Sequence, residues 1–491
     1  MRTMRKLLGG AVSFTALLAA FVGQASAVTN EELLERIERL ERQNQELRSQ
    51  VNALQGDPDV VRLPETSAEA AAKNDAGLVG TSVDYSYRIL DAVEDVNTKP
   101  IVQLKARQDG LLNSALTVSG QVTAIANIQT SNRDDKFGYL MRNPTSANQI
   151  GGDVSEALVH SANLAFTAQL NDWITAYLEF LYSPEQHFGS GTITNLNRNV
   201  IDGRRAYILF GNLEKSPLFA AIGKLDTPFG LNDTVSPFTN STNWHAFAGL
   251  AYGAQVGYVS DGLMLRAMAI QGGSQFRAHN TPVNDTNVPS RVNNFAVDAN
   301  YTFRFNTADE ALFGASYTHG TAYCQAYPVV HFNPCSDNNP GYAVYSRIRM
   351  GAFELLGEFA STTDDWPGSA VPDPTNPLSV YEAQKTHAFT VGGRYGFGEV
   401  LPNGRNKSYL SAEFSKFRAG DEGAPWERQN QIVLGYSHYL SENINLFGEY
   451  IHVDGFAPLN FVSGGNFPDG STWSDNDAKT DVLMFGAQGA F

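Results

Sequence analysis

Arg347, Arg349, Glu354 and Glu358 lie close together in the chain, on either side of Gly351-Ala352. The two arginines are two residues apart and the two glutamates four, so in extended strands each pair shares one face. A tight turn at Gly351-Ala352 sets Arg349 opposite Glu354, with Arg347 and Glu358 nearby, so that unlike charges meet across a hairpin. Glu179, Lys224, Arg266, Arg394, Glu413 and Glu449 alternate with apolar neighbours in the same way. In a membrane strand, such positions tolerate charge on the face turned to water. Opposed charges across an aqueous lumen would produce a transverse field that orients water and zwitterions. The same residues would serve equally as a structural network within a wall.

Other chemistry finds little footing. His187, His245, His319 and His331 lie in or near loops without HxxxH or HExxH spacing, so no metal site is expected. No Ser/His/Asp arrangement, phosphate loop or nucleotide fingerprint stands out, and the chain is read as non-enzymatic with no cofactor. His160 and Ser161 could suggest a hydrolase, but neighbours in a regular strand point to opposite faces. Cys324 and Cys335 fall in one long loop on an oxidising side of the cell, which predicts a disulfide closing a small hairpin with Tyr327, Pro328 and Phe332.

The elements that must carry these residues are strands. Segments of about ten residues with alternating hydrophobicity recur from residue 111 to the end, clearest at 116–128, 162–170, 174–182, 295–303, 353–359, 389–397 and 432–440. Weaker ones at 204–211, 218–225, 253–259, 263–271, 311–318, 342–350, 409–417 and 444–453, with the final segment 480–491, bring the number to sixteen. Tight connections such as Asn171-Asp172, Asp261 and Glu442-Asn443 alternate with long ones such as 226–251, 272–291 and 363–386. The expected fold is all-β: a transmembrane antiparallel barrel of sixteen strands, with a short N-terminal helical coiled coil. The final alternating segment closed by the aromatic Phe491 resembles the last strand of Gram-negative outer-membrane barrels, and that resemblance implies the barrel assembly machinery and outer-membrane lipid as partners.

Four regions are expected. Residues 1–27 read as a secretory signal, with Arg2, Arg5 and Lys6 before an apolar stretch and Ala25-Ser26-Ala27 at its end. Residues 28–56 carry Leu33, Ile37, Leu40, Asn44, Leu47, Val51 and Leu54 at heptad spacing, a periplasmic coiled coil or a lone amphipathic helix. Residues 57–110 read as a linker, although Tyr85, Tyr87 and Ile89 would also suit docking at a barrel mouth. The barrel takes 111–491. The whole chain has 35 basic and 51 acidic residues; losing the three basic residues of the signal leaves 32 against 51, a formal charge of −19. That balance repels nucleic acid.

Sixteen strands enclose more room than side chains fill, so an aqueous channel is the physical expectation. What narrows it should be the long loop from Thr227 through Ser236-Pro237-Phe238 to Asn243-Trp244-His245, either folded inward or lying on the surface. Candidates for the constriction are Lys224, Asp226, Phe229, Asp233, Trp244 and His245.

The run Gly223-Lys224-Leu225-Asp226-Thr227-Pro228-Phe229-Gly230 resembles the strand-to-loop passage of sixteen-stranded porins. Signal, coiled coil, linker and barrel together look most like the legiobactin-receptor-type siderophore porins (LbtU family). The resemblance implies passive, plug-free passage of small hydrophilic solutes, with ferric siderophores among the candidate ligands, and a homotrimer. A structural envelope tether and a phosphate- or carbohydrate-selective porin are the alternatives. The loop 227–250 holds no Lys or Arg, which disfavours a phosphate eyelet. Asp285, Asp337, Asp364, Asp365, Asp475 and Asp477 near the mouth suggest a weak cation preference.

Overall fold

The computed structural model describes residues 77–134, 136–137, 151–184, 199–271, 291–306, 309–324, 337–366, 383–457 and 474–491. The expected signal and coiled coil, and Asp285, lie outside these residues.

After a two-residue strand β1 (Val79–Gly80) come two helices, α1 (Val83–Leu90) and α2 (Lys99–Gln108). Sixteen long strands follow: β2 (Leu116–Ser131), β3 (Asp153–Gln169), β4 (Ile174–Ser183), β5 (Val200–Gly211), β6 (Leu218–Asp226), β7 (Leu250–Ser260), β8 (Leu263–Gln271), β9 (Val292–Arg304), β10 (Glu310–Thr318), β11 (Gly341–Met350), β12 (Phe353–Thr362), β13 (His387–Val400), β14 (Asn406–Arg418), β15 (Arg428–Ser441), β16 (Ile444–Phe456) and β17 (Asp475–Ala490). A short helix α3 (Thr242–Phe247) sits between β6 and β7. Each long strand pairs antiparallel with the next, and β17 pairs with β2 from Thr480↔Ser131 to Ala490↔Gln121. The sheet is therefore a closed sixteen-stranded barrel, with no free edge to recruit another chain. All sixteen segments read from the sequence are present, most of them longer than the alternation alone marked.

Two faces explain the alternation. Leu218, Ile222, Val256, Leu355, Leu410 and Phe485 point outward and are exposed, as lipid-facing side chains must be. Phe303, Phe313, Phe353 and Tyr395 add exposed aromatics near the short turns, with the Phe353 and Tyr395 rings 4.7 Å apart. The inward face is not uniformly polar. Tyr177, Tyr207, Leu209, Phe219, Ala221, Leu225, Met268 and Ile270 point into the barrel and form one buried cluster with Tyr85, Ile89, Leu90, Ile101, Val102 and Leu104 from α1 and α2.

Here the structure corrects the linker reading for residues 77–110, in favour of docking, and the plug-free barrel that the resemblance implied; residues 57–76 lie outside the described residues. Residues 83–108 form a two-helix plug at the short-turn end of the lumen. Burying large apolar side chains contributes roughly 1.5–3 kcal/mol each, more than single hydrogen bonds at about 1 kcal/mol. Apolar packing is thus the main attraction, and polar contacts set the position. The Tyr85 hydroxyl meets the Thr167 hydroxyl at 2.8 Å, Tyr87 donates to the carbonyl of Asn443 at 2.8 Å, and Arg107 donates to that of Asn171 at 2.9 Å. Pro100 occupies the first turn of α2, where a missing N–H costs nothing. Gly110, at φ +72°, ends α2 while Leu111 donates back to Ala106 at 2.8 Å. Lys99 is fully buried, and its ammonium donates to the carbonyls of Arg88, Asp91 and Glu94 at 2.9, 2.7 and 3.2 Å, tying α2 to the end of α1.

Candidate functional site

The loop between β6 and β7 folds inward, and three glutamates on alternate strands hold it there. Glu358 on β12 accepts the backbone N–H groups of Leu231 and Asn232 at 2.9 and 2.8 Å. Glu413 on β14 accepts from the Val235 N–H at 3.0 Å and the Thr234 hydroxyl at 2.6 Å. On β16, Glu449 accepts the N–H groups of Phe238 and Thr239 at 2.8 and 3.0 Å and the Thr239 hydroxyl. Each buried carboxyl accepts two or three hydrogen bonds, and the loop N–H groups that donate them would otherwise be orphaned. Phe238 packs into the apolar inner wall, stacked on Phe447 at 5.3 Å. Ser241 caps α3 by accepting from Trp244 N–H at 3.1 Å.

Loop and plug meet inside the barrel. The residues linking α1 to α2 donate and accept across the junction: Thr234 N–H to Val93 O at 2.9 Å, Val96 N–H to Asp233 at 3.1 Å, and the Asn240 amide to Ala92 O at 2.7 Å. Arg347 on β11 pairs with Asp233 at 2.8 Å. Burial pushes the Asp233 carboxyl up to about 7, with Arg347 pulling the other way.

Below this junction, on the side of the short turns, lies a cavity of about 830 Å³. Arg347, Arg349, Arg394 and Arg405 line it, together with Glu94, Asp95, Glu310 and Glu354, and the turn residues Gly262, Gly351 and Gly404 form part of its rim. Arg349 and Glu354 are register partners across the β11–β12 hairpin, 3.0 Å apart. Arg394 on β13 reaches the same Glu354 oxygen at 2.8 Å, and also pairs with Glu94 of the plug. Burial opposes ionisation of Glu94, yet Arg394, Arg349 and Arg347 together hold its carboxyl below the ordinary carboxylate range.

The remaining candidates sort by register. Glu179 is buried on the inner wall, 2.8 Å from Arg205, which also grips Asp226 through two bonds at 2.6 and 2.8 Å. Arg266 on β8 pairs with Asp298 on β9 at 2.9 Å. Phe229 is buried with Phe247, Tyr323, Trp366, Phe417 and Trp426, and Trp244 and His245 are buried in α3. Lys224 is a correction: the inward positions of β6 are Phe219, Ala221 and Leu225, so Lys224 shares the outward parity of Ile222. Its ammonium donates to Gly203 O at 2.9 Å and stands 6.0 Å from the Tyr252 ring, away from any constriction. Cys324 is buried and disulfide-bonded; Cys335 lies outside the described residues.

A second correction concerns His160 and Ser161. Thr123 pairs with Ser161 and Ala124 with Val159, so His160 is the extra residue of a β-bulge. The bulge breaks the alternation and brings His160 Nδ1 to 3.3 Å from Ser161 Oγ. The ring packs edge-on against Phe238 at 4.7 Å. Among the described residues, no three His, Cys, Asp or Glu side chains gather as a metal site.

Sequence reasoning missed Arg205, Asp298, Glu94, Asn97 and Arg405. Asp298 was within reach of the alternation rule, since Asn294, Ala296, Asp298 and Asn300 form the inward face of β9. Arg205 adjoins Arg204, which leaves the choice of inward arginine open in sequence. Glu94 and Asn97 sit in a segment without periodicity.

No family model and no curated protein sequence matches the chain. Among solved structures it is similar to an anion-selective porin from Comamonas acidovorans, with 12% identity over 77% of this chain and 99% of the other, at a TM-score of 0.46. The outer-membrane channel DcaP of Acinetobacter baumannii is similar at 16% identity, over 77% and 97%, with a TM-score of 0.45. OprB of Pseudomonas putida is similar at 9% identity, over 79% and 97%, with a TM-score of 0.47.

Proposed function

We propose that the chain is a non-enzymatic channel of the Gram-negative outer membrane, passing small hydrophilic solutes through a lumen narrowed by the loop from one side and by α1–α2 from the other. The observation that carries this reading is a closed barrel with a lipid-compatible exterior and a charged interior cavity of about 830 Å³ rimmed by turn residues. A barrel built only to anchor something would have no use for so many charged side chains lining a cavity. Solute size is limited by the plug and loop, so a ligand as large as a ferric siderophore would pass only with both displaced.

Reconstitution of the folded protein into planar bilayers tests the reading. Small, discrete conductance steps are expected, and a complete absence of conductance in every variant that loosens the plug would leave the structural tether instead. Reversal potentials in a salt gradient weigh the acidic loops against the lumen arginines, and binding assays with ferric siderophores, sugars and phosphate address the ligand. The N-terminal heptads support a homotrimer, and removing residues 31–54 should shift native mass from trimer toward monomer while the barrel stays folded.

A further inference from the structure

The arginines of the turn-side cavity are gathered round a carboxylate that the chain itself supplies. Glu94 belongs to the link between α1 and α2 and not to the wall. One of its oxygens meets Arg394, and the other lies 3.8 Å from Arg349. Behind them, wall and loop carboxylates pair with the same arginines: Glu354 with Arg349 and Arg394, Glu310 with Arg349 at 3.4 Å, and Asp233 with Arg347. A fourth guanidinium, Arg405, lines the cavity too. Among the described residues no carboxylate comes within ion-pair distance of it. It is held instead over the rings of Tyr87 and Tyr439, at 5.1 and 5.8 Å, and donates to the Tyr439 hydroxyl at 3.3 Å. With Glu94 moved aside, Arg394 would lose one of its two carboxylate partners and Arg405 would still have none among the described residues, across space large enough for a solute. Planar guanidinium forks suit the two oxygens of a carboxylate, and Glu94 shows one engaging two of them at once.

Resting on the channel reading above, we propose that Arg349, Arg394 and Arg405 form a binding site for small carboxylate solutes, which Glu94 occupies as a tethered competitor that an incoming di- or tricarboxylate displaces. Competition by a group on the same chain lowers the apparent affinity for the free solute by the tether's effective concentration. Removing the tethered charge should therefore tighten binding while leaving the arginines in place.

Calorimetry on the full-length folded protein in detergent tests this with citrate, inorganic phosphate and glycerol as probes. E94Q should bind citrate about tenfold more tightly than the parent, with a smaller gain for phosphate and none for glycerol. E94D, whose shorter arm retracts from Arg394, should gain less than E94Q. Adding R405Q to E94Q should remove most of the gain; Arg405 lies in a turn outside the strands, so this change spares the wall. Unchanged citrate affinity in both E94Q and E94D would overturn the proposal, as would an equal gain for phosphate or an E94Q gain that survives R405Q. Conductance in KCl, measured separately, keeps the two readings apart. A conducting protein without the citrate effect removes the site alone, and the citrate effect without conductance removes the channel alone.

Discussion

Arg266 holds Asn97 twice, donating to its backbone carbonyl at 2.6 Å and to its side-chain oxygen at 3.3 Å. The Asn97 amide in turn donates to the carbonyls of Phe229, at 3.3 Å, and Gly230. One buried asparagine thereby joins the barrel wall, the plug and the inward loop. Asp298 completes the arrangement by fixing the guanidinium from the far side at 2.9 Å.

Asn97→Ala should loosen the plug without opening the barrel. It removes the Asn97 amide from the Gly230 carbonyl, whereas the Phe229 carbonyl keeps the Asn232 amide at 2.6 Å and Arg266 keeps Asp298 at 2.9 Å, so the cost is about 1–3 kcal/mol for the one buried group left unsatisfied. Hydrogen exchange should accelerate across residues 83–108 while strand amides stay protected, and single-channel conductance should rise. Unchanged exchange in the two helices would show that apolar packing alone seats them.

Gly230→Ala should act on the loop. Gly230 has φ +66°, where a side chain costs about 1–2 kcal/mol, and an added Cβ would lie 2.2 Å from Glu358 Oε1. That carboxylate is pinned by Leu231 and Asn232, so it has little freedom to withdraw. The loop should lift from the β12 wall, giving larger and noisier conductance steps. Ala at Gly404, another positive-φ glycine with no atom near its Cβ position, should leave conductance as it was.

The barrel was legible because lipid imposes strict alternation on the outer face, as in Leu218, Ile222 and Val256. The plug was not, and the reason lies in the inner face of the same strands. Phe219, Ala221 and Leu225 alternate with outward Leu218, Ile222 and Lys224, and Met268 and Ile270 with outward Leu265 and Ala269. Strands apolar on both faces need cover on both, a signal the sequence carried but which points to no particular covering segment. Helix α1 is only eight residues long, too short to announce itself by period. Alternation did place Arg347, Arg349, Glu354, Glu358, Glu413 and Glu449 inward. Their roles depend on loop backbone and on Glu94, which no local pattern reveals. At His160 a bulge reversed the rule, and bulges are set by pairing with a distant strand.

Acidification should weaken the plug through Glu94. The arginines hold its folded-state carboxyl below the ordinary 4.5 despite burial, so the stabilisation it provides is present above that value and is lost as pH falls below it. Arg347, Arg349, Arg394 and Arg405 face it, with Glu354 and Asp91 as competing acids. Exchange of residues 83–108 should accelerate below about pH 4.5 in the parent protein. In E94Q the acid-dependent part should shrink, and an identical pH profile in the two proteins would assign the effect to other carboxyls.

The chain terminus offers a separation of recognition from closure. Phe491 exchanges backbone hydrogen bonds with Gly120, 3.0 Å from its N–H and 3.1 Å to its carbonyl, extending the β17–β2 seam by one residue. Its ring lies over Gly120, where an added Cβ would come within 2.1 Å of a ring carbon. The ring is half exposed, so it can swing away cheaply. Gly120→Ala should therefore displace the ring while keeping it present, and Phe491→Ala should remove it while keeping the backbone pair. If Phe491 serves as an address for the assembly machinery, Phe491→Ala should reduce outer-membrane yield in cells yet fold normally into detergent micelles, and Gly120→Ala should leave both yield and folding unchanged. Slow folding of Phe491→Ala in micelles as well would place the role of the ring in barrel closure.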